Sequence, residues 1–492
     1  MKTKSFSYII FILIIILIQN TFQKQLRWAF EIFRHGARTP YSGMTSDFVD
    51  CFGQKWFGLK ELTGVGLRQH FLVGYRNRIK YTVENQLISD TYDPREVFLI
   101  STDSNRTIMS ANAQVQGLFM PGTGPRLFSN QSDSAVPPVK TEDISDAKKE
   151  LDKSGFTALP DNMNVIPVHS FFNADHFIQL QDKKVCPTTV EYYKKNQQRE
   201  EVINFLKNMT DKYGEKMNET LIIKDKSKDV LMDYTKAYYI FDTIICRYTE
   251  GYALPDLGTS DEELLNDSYK FFDLDLIGNG IDNDKDICLH AMSPIFVRLL
   301  KWIDLKIEKD MKGDFDYTDY DVPKFVMFSA HDSTCAAFMG FMKEVFNTES
   351  RYPYFATNIN LELYLNNETS EIKKDDYYIE YIINDESMLN ISYNEFTQSL
   401  KKKMKTMDEV NKFCGFNKSD EKKTDEPITD KPTDEQKESE AEKRDKIFLG
   451  VDIGLGLISL ILIIIISIKA KKNNSYIKID GEEKMRILND TE

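Results

Sequence analysis

A short apolar segment that runs into a cluster of cationic side chains constrains this chain more than any other stretch. Residues 28–33 read W-A-F-E-I-F, which predicts a buried strand, and residues 34–40 continue as R-H-G-A-R-T-P. Gly36 predicts a sharp exit from the strand, because a residue without a Cβ atom adopts backbone angles that others cannot. The polar side chains of the motif therefore collect at the carboxyl end of a strand, where open α/β sheets bind ligands.

These side chains suit chemistry on a phosphoryl group. The guanidinium groups of Arg34 and Arg38 each present a planar set of donors that matches pairs of phosphate oxygens. A histidine between fixed cations is held toward its neutral form, and a neutral imidazole is a nucleophile. The pattern predicts that His35 attacks a phosphorus atom.

Two further segments repeat the order of buried strand, polar turn and helix. Residues 97–119 contain T-D-S-N-R-T in the turn and place Arg106 at the start of the helix, where the amino terminus favours an anion. Residues 324–345 contain S-A-H-D-S-T in the turn and offer His331 beside the carboxylate of Asp332. Three such units predict an α/β protein with its polar groups at the strand ends.

Length and charge narrow the class of protein. The chain has 492 residues, of which 41% are hydrophobic, so it can form one large or two ordinary domains with tails. Its formal net charge of -14 argues against nucleic acid as a partner.

No group of side chains has the spacing of a metal site. Asp282, Asp284 and Asp286 alternate as in a calcium loop, but the glycine and the final glutamate of such a loop are missing. We interpret this segment as a solvated loop, and the sequence predicts neither a metal nor a cofactor. The remaining histidines are interpreted as structural or background residues: His70, His169, His176 and His290.

Both ends of the chain carry membrane signals. Lys2 and Lys4 precede an apolar core at residues 8–18, which is too short to span a bilayer and is typical of a signal peptide. We place that peptide at residues 1–23, with an uncleaved signal anchor as the alternative. Residues 448–468 are almost wholly apolar and long enough to cross the hydrocarbon core as a helix.

Lysines beside the second apolar segment orient the chain. Lys469, Lys471 and Lys472 follow it directly, and positive flanks lie on the cytoplasmic side of a membrane. The sequence therefore predicts a single-pass type I membrane protein whose bulk is lumenal or extracellular. A charged stalk at 417–447 precedes the helix, and a cytoplasmic tail at 469–492 follows it.

Short modification and sorting patterns fit this topology. The tail contains Tyr476-Ile-Lys-Ile and an acidic-dileucine-like run that ends at Leu488, and both are similar to signals that sorting adaptors bind. They predict adaptors as partners and favour a lysosome-like compartment over the cell surface. N-glycosylation sequons lie on the predicted lumenal side at Asn105, Asn130, Asn208, Asn218, Asn266, Asn367, Asn390 and Asn417.

The chain resembles the histidine acid phosphatases, a branch of the histidine phosphatase superfamily that includes prostatic and lysosomal acid phosphatases and many phytases. The blocks that carry the resemblance are R-H-G-A-R-T-P at 34–40, S-T-D-S-N-R-T-I-M-S-A at 101–111 and F-S-A-H-D-S-T at 328–334. Weaker agreement at 62–66 and 166–169 extends the likeness over most of residues 27–416.

The resemblance implies a role for each motif residue. His35 is implied as the nucleophile that becomes a phosphohistidine, and Asp332 as the acid that protonates the leaving alkoxide. The residues implied to bind the phosphate are Arg34, Arg38, Arg106 and His331. Phosphoryl transfer depends mostly on positioning and charge stabilisation, which three guanidinium groups supply without a metal.

The implied fold is a central mixed sheet flanked by helices, to which the sequence adds one C-terminal transmembrane helix. The ectodomain would span residues 24–416 and carry a mostly helical cap at roughly 171–310. The resemblance also implies a disulfide between Cys186 and Cys414, although six cysteines alone permit 15 connectivities. Ile100 departs from the family, whose members commonly have a basic residue there.

Three functions remain open at this point. The favoured one is a membrane-anchored lumenal acid phosphatase that acts on phosphate monoesters. A second is a narrower enzyme of the same family, such as a phytase or a lysophosphatidate phosphatase. A third is a surface receptor that uses an inactive phosphatase domain, and the intact motif residues argue against it.

Overall fold

The computed structural model describes most of the predicted ectodomain. The described residues are 24–41, 47–170, 186–223, 227–276, 285–317, 319, 322–366 and 371–415. None of the helices formed by these residues is long and apolar enough to cross a membrane. Several predicted features lie outside the described residues: the signal peptide, Asp282 and Asp284, the stalk, the transmembrane segment at 448–468, and the tail with Tyr476 and Leu488.

Strands and helices alternate through the first half of the described chain. The strands are β1 (Gln25–Arg34), β2 (Val97–Ser101), β3 (His169–Ser170), β4 (Phe325–Ala330), β5 (Asn358–Leu365), β6 (Tyr377–Ile383) and β7 (Glu386–Ser392). The helices are α1 (Gly64–Asn77), α2 (Asn105–Leu118), α3 (Ser145–Lys153), α4 (Pro187–Gln197), α5 (Glu200–Thr220), α6 (Tyr234–Thr249), α7 (Asp261–Leu276), α8 (Lys285–Met311), α9 (Asp332–Phe346), α10 (Tyr393–Lys403) and α11 (Met407–Cys414). A π-helical turn, Arg78–Glu84, continues α1. Short 3-10 turns lie at Ser129–Gln131, Thr141–Asp143, Pro160–Asn162, Val230–Met232 and Lys374–Asp376.

The strands form one mixed sheet in the order β3-β2-β4-β1-β5-β6-β7. The four strands from β3 to β1 run parallel, and β5, β6 and β7 add antiparallel to that edge. This confirms the predicted α/β class with a mixed sheet flanked by helices. The sequence also predicts a short strand at residues 164–169, but β3 begins only at His169, and β7 has no predicted counterpart.

Strand β1 is central because both of its faces are covered. Trp28, Phe30 and Ile32 join the core that includes α8 and α9. Ala29 and Phe33 join a second core that includes buried side chains of α2. A strand that is buried on both sides is expected to be a nearly continuous apolar run. The exception is Glu31, which is also fully buried.

Helices α1 and α2 pack against each other through glycines. A Cβ atom on Gly74 would lie 1.8 Å from the Gln114 carbonyl oxygen, and one on Gly117 would lie 2.0 Å from that of Phe71. The two backbones therefore approach as closely as only glycine allows. The buried side of α1 carries His70 and Asn77, whereas Leu72 on its other side is 57% exposed.

Helices α4 to α8 lie in the stretch that was predicted as a cap. Cys186, which precedes α4, is bonded to Cys414 at the end of α11, and this confirms the implied disulfide. Thr188 also donates to the Phe413 carbonyl at 2.6 Å, so a hydrogen bond joins the start of α4 to the end of α11 beside the disulfide. The other cysteines are free and buried: Cys51, Cys246, Cys288 and Cys335.

Candidate active site

The three predicted turns meet at one edge of the sheet. Strands β2, β4 and β1 are adjacent and parallel, so their carboxyl ends lie side by side. The pairing continues one residue past the strands: the His35 amide donates to the Ala330 carbonyl at 3.0 Å, and the Thr102 amide to that of Ser329 at 3.1 Å. The turns are therefore fixed to each other by backbone hydrogen bonds before any side chain contributes.

Gly36 is required for a different reason from the one the sequence suggested. Its φ angle is not in the left-handed region, so no unusual backbone angle demands glycine. A Cβ atom there would instead lie 2.5 Å from the Gly66 carbonyl oxygen at the start of α1. The Gly36 amide also donates to the Ser110 hydroxyl at 3.1 Å. Close packing on α1 and α2 thus fixes the loop that follows His35.

The imidazole of His35 is buried, and a backbone carbonyl fixes one of its two nitrogens. Its Nδ1 lies 2.9 Å from the Gly36 carbonyl oxygen, which can only accept, so Nδ1 carries the hydrogen and Nε2 keeps its lone pair. Burial lowers the pKa of His35 well below its usual value, and the charges of Arg106, Arg34 and Arg38 lower it further. The ring is therefore neutral in acid.

Arg34 is held on three sides at the end of β1. Its Nη1 donates to the Tyr352 hydroxyl at 2.9 Å and to the Pro353 carbonyl at 2.7 Å. Its Nη2 forms an ion pair with Asp332 Oδ2 at 2.8 Å. Phe355 covers the guanidinium plane, with a distance of 4.3 Å between the guanidinium carbon and the ring centroid.

Asp332 is the first residue of α9 and retains some solvent contact. Its side chain is 22% exposed, and its Oδ1 accepts from the Ser333 amide at 2.8 Å. Burial alone raises the pKa of this carboxyl group, but the cations of Arg34 and Arg38 outweigh it and the net pKa is lowered. The carboxylate is therefore charged while it remains paired with Arg34.

Arg38 depends on a residue that the sequence did not single out. Its Nη2 donates to Asp242 Oδ1 at 2.8 Å and its Nη1 to Asp242 Oδ2 at 3.2 Å, so the contact is bidentate. Asp242 lies on α6, is 4% exposed, and also accepts from the Tyr41 amide at 2.7 Å. The only signal in the sequence was a lone carboxylate within the apolar run of residues 240–245.

Arg106 and His331 form a hydrogen-bonded pair. Arg106 Nη2 lies 3.2 Å from His331 Nδ1, and because arginine only donates, that nitrogen accepts. His331 Nε2 then carries the hydrogen and donates to the Thr102 hydroxyl at 2.9 Å. Burial and the Arg106 charge lower the pKa of His331, which agrees with a neutral ring. Both nitrogens of the His331 ring therefore form hydrogen bonds with other residues of the protein.

All six predicted site residues thus meet in one place. The centroids of the His35 and His331 rings are 5.7 Å apart. Arg34 ends β1, Arg38 lies in the turn after it, and Arg106 lies in the first turn of α2. Two of the histidines interpreted as structural or background lie elsewhere, since His169 stacks on Phe98 and His290 on Phe413. His176 lies outside the described residues, and His70 contacts the Arg34 carbonyl behind the site. The gathered set is a cationic cleft with one neutral imidazole and one carboxylate beside it.

The chain belongs to the histidine phosphatase superfamily (branch 2), whose sequence model matches residues 25–384. It is 25% identical over 344 residues to the lysosomal acid phosphatase of Xenopus laevis, and the aligned region covers 69% of this chain and 66% of that protein. It is 23% identical over 380 residues to human prostatic acid phosphatase, which covers 77% of this chain and 82% of that protein. Family membership and these relatives support a phosphomonoesterase.

Solved structures that are similar to this one include a phytase of Klebsiella sp. ASR1. It is 12% identical in sequence, with a TM-score of 0.49, and the match covers 78% of this chain and 97% of that one. The likeness is confined to the fold.

Replacing Asp242 by Asn is expected to lower kcat/KM for p-nitrophenyl phosphate by about 10²-fold, the usual result of misplacing a binding group by about 1 Å. The reason is that Arg38 loses its charged partner, so the inhibition constant of inorganic phosphate should also rise. Steady-state kinetics measure both. The matched control is Asp267→Asn on α7, whose carboxylate pairs with Lys212 near the surface. Equal kinetics in the two variants would contradict a positioning role for Asp242.

Proposed function

We propose that this chain is an acid phosphatase that hydrolyses phosphate monoesters through a phosphohistidine at His35. The observation that carries the proposal is the tautomer of His35: its Nδ1 hydrogen is committed to the Gly36 carbonyl, which leaves the Nε2 lone pair for attack. A buried imidazole surrounded by three arginines stays neutral in acid and faces the place where those arginines would bind a phosphate.

The first chemical step joins Nε2 of His35 to phosphorus and breaks the bond from phosphorus to the ester oxygen. Arg34, Arg38 and Arg106 would stabilise the charge on the phosphoryl oxygens during that transfer. Water then attacks the phosphohistidine, the phosphorus–nitrogen bond breaks, and inorganic phosphate leaves. Neither step requires a metal or a cofactor, since the arginines supply the positive charge.

Asp332 is proposed to donate the proton that the leaving oxygen needs. A bound phosphate dianion competes with Asp332 for Arg34 Nη2, which lies 2.8 Å from the carboxylate. With Arg34 on the phosphate and a new negative charge nearby, the carboxyl group would hold its proton more strongly. In the second step the same carboxylate takes the proton from the attacking water, so the group is restored.

His331 is proposed to assist by exchanging its partner. Its Nδ1 now accepts from Arg106, and a phosphate that takes this arginine would release the ring. Donation from His331 to a phosphoryl oxygen then requires the ring to turn from Thr102 as well. The narrower alternatives stay open because nothing in the described cap identifies a substrate beyond a phosphate monoester. The His-Asp pair argues against the His-Ala-Glu type of inositol polyphosphatase.

The variant His35→Ala is expected to lower turnover of p-nitrophenyl phosphate by at least about 10³-fold, because the nucleophile is gone. The assay uses the purified ectodomain across acidic pH with a chelator present. The control is His169→Ala, which removes an imidazole outside the cleft and should keep wild-type turnover. Wild-type protein that is inactive under all these conditions would favour the receptor alternative. Retained activity in His35→Ala would contradict the phosphohistidine.

Asp332→Asn should slow hydrolysis of glycerol 2-phosphate by about 10²-fold or more and that of p-nitrophenyl phosphate by no more than about tenfold. The difference arises because an alkoxide needs a proton to leave, whereas p-nitrophenolate leaves without one. Parallel kcat measurements on the two esters test it. Equal losses on both esters would mean that Asp332 only orients Arg34.

The chain is further proposed to be a type I membrane protein of a lysosome-like compartment. The supports are the apolar segment at 448–468 with its lysine flank, the two tail patterns, and relatives named lysosomal acid phosphatase. The lumenal side would also make sequons available for N-glycosylation. Proteolysis of the stalk at 417–447 would release a soluble form.

Tyr476→Ala combined with Leu488→Ala is expected to move the full-length protein to the cell surface, because adaptors would lose both side chains that they bind. Surface biotinylation and imaging against an acidic-vesicle marker measure the shift. The control is Asn473→Ala in the same tail, which lies outside both patterns. Delivery of the double variant to acidic vesicles at the wild-type level would contradict the sorting proposal.

A further inference from the structure

A chain of buried polar side chains runs from the middle of β1 to the active-site turn. In the structure the Gln114 side-chain nitrogen lies 2.7 Å from Glu31 Oε2, and the Gln114 side-chain oxygen lies 2.8 Å from His70 Nδ1. His70 Nε2 lies 3.1 Å from the Arg34 carbonyl oxygen, one residue before His35. All three side chains are completely shielded from solvent.

The close approach of α1 and α2 creates this chain. Gly74 and Gly117 let the two helix backbones touch, which brings His70 on α1 against Gln114 on α2. Asn77, one turn beyond Gly74, donates to Glu31 Oε2 at 2.8 Å. Neither the nucleophile nor the phosphate-binding groups include these residues, so the cleft itself does not account for them.

The position of each hydrogen follows from what every group can do. Burial lowers the pKa of His70 to about 4, so the ring is neutral above that pH and has a single N–H group. The Arg34 carbonyl can only accept, which places the hydrogen on Nε2 and a lone pair on Nδ1. Nδ1 therefore needs a donor, and the Gln114 amide supplies one when its nitrogen, rather than its oxygen, is turned toward the ring.

That orientation of the amide determines the state of Glu31. The oxygen and nitrogen of a side-chain amide are assigned from their hydrogen-bond partners. With its nitrogen toward His70, Gln114 presents its oxygen to Glu31 Oε2. Two oxygens at 2.7 Å require a hydrogen between them, and only the carboxyl group can supply it.

The surroundings of Glu31 agree with a neutral acid. Burial raises its pKa to about 7, while the charge of Arg76 and the hydrogen bond from Asn77 act in the opposite direction and Glu362 adds to the rise. Among the described residues Glu31 has no ion-pair partner, and its Oε1 is buried without a hydrogen bond. Arg76 pairs with Asp385 and donates to Asn77.

A second buried carboxyl group, that of Glu362 on the neighbouring strand β5, forms an ion pair and hydrogen bonds with nearby side chains. Glu362 on β5 pairs with Lys80 at 2.6 Å and accepts from the hydroxyls of Tyr81 and Tyr364 at 2.6 and 2.7 Å. Its charge is therefore matched by a cation, in contrast to that of Glu31. The two buried carboxyl groups of this layer thus differ in what surrounds them.

We infer that Glu31 is a carboxylic acid in the working enzyme and that, through Gln114 and His70, it positions the Arg34 carbonyl and hence the strand end that carries His35. Glu31 donates to Gln114, Gln114 donates to His70, and His70 donates to Arg34. The catalytic part of this inference rests on the proposed phosphatase function. Glu31 is a positioning residue, since it touches neither the substrate nor the reacting atoms.

The sign of the pH effect follows from the raised pKa of Glu31. The folded protein binds this proton more tightly than the unfolded chain, whose value is 4.5. The stability that the proton contributes is complete below about pH 4.5 and is lost as the pH rises through about 7. Loss of the proton also leaves Gln114 without a donor on its Glu31 side, so the positioning chain is broken toward neutral pH.

Two variants separate the roles of the proton and of the hydrogen-bond chain. Glu31→Gln keeps an N–H donor that cannot titrate, and Glu31→Leu keeps the approximate size without a donor. Thermal unfolding of the ectodomain between about pH 4 and pH 8 should show a smaller decline in Tm toward neutral pH for both variants than for wild type. Glu96→Gln, the matched control, removes a buried carboxylate that pairs with Lys324 at 3.0 Å, and it should lower Tm at every pH and keep the wild-type decline.

Infrared spectroscopy tests the acid without using turnover. The wild-type ectodomain at about pH 5 should have a carboxylic C=O band that Glu31→Gln lacks and that weakens as the pH rises through about 7. Absence of that band, or a wild-type decline of Tm in both Glu31 variants, would overturn the inference. These readouts stand or fall independently of the phosphatase assignment.

Kinetics on p-nitrophenyl phosphate test the positioning role. Glu31→Gln should retain acid turnover within about twofold of wild type and extend it to higher pH, because its donor does not titrate. Glu31→Leu should lose about tenfold in kcat/KM at acid pH, about the effect of one hydrogen bond. Equal kcat/KM values in the two variants would overturn the positioning role.

Discussion

Three guanidinium groups lie around one buried imidazole and repel one another. The rest of the site is arranged to compensate these positive charges. Asp332 neutralises Arg34 and Asp242 neutralises Arg38. Arg106 has no ion-pair partner among the described residues and donates to a neutral histidine instead. Burial and the Arg38 charge lower the pKa of Arg106 to about 10, which reflects this uncompensated cation. A phosphate group brings the missing negative charge, so the cleft attracts the group it is proposed to transform.

The compensating carboxylates come from different parts of the fold. Asp332 begins the helix after β4, so the sheet itself places it beside Arg34. Asp242 belongs to α6, and its contact with Arg38 joins a helix of the predicted cap to the loop after β1. The predicted cap therefore holds the guanidinium group of Arg38 in place, so the orientation of one proposed phosphate-binding group depends on it. Substitutions in α6 should consequently change phosphate affinity as well as the choice of ester.

Local sequence patterns predicted the strand ends well because each is a short unit with its own turn. The bounds of β2 match the prediction, and all six motif residues meet at one edge. Long-range partners could not be predicted in this way. Helical spacing in α1 indicates a helix, but it does not show that glycines and His70, rather than Leu72, face the core. The contacts of Asp242 with Arg38 and of Glu31 with Gln114 depend on which helices pack together, and no local pattern contains that information.

Burial favours the uncharged form of each of three groups in and behind the cleft. It lowers the pKa of His35 and His70 and raises that of Glu31, so each group is held in its uncharged form. In acid the imidazole of His35 therefore keeps the lone pair that the proposed attack requires, whereas an exposed histidine would be protonated. Glu31 keeps the proton that its proposed hydrogen bond to Gln114 requires. A rise toward neutral pH leaves His35 unchanged but removes the proton of Glu31. If the proposed function holds, the upper pH limit of activity would therefore be set by Glu31, which supports the strand end behind the cleft. The lower pH limit would be set within the cleft, by His35 as the proposed nucleophile and Asp332 as the proposed acid.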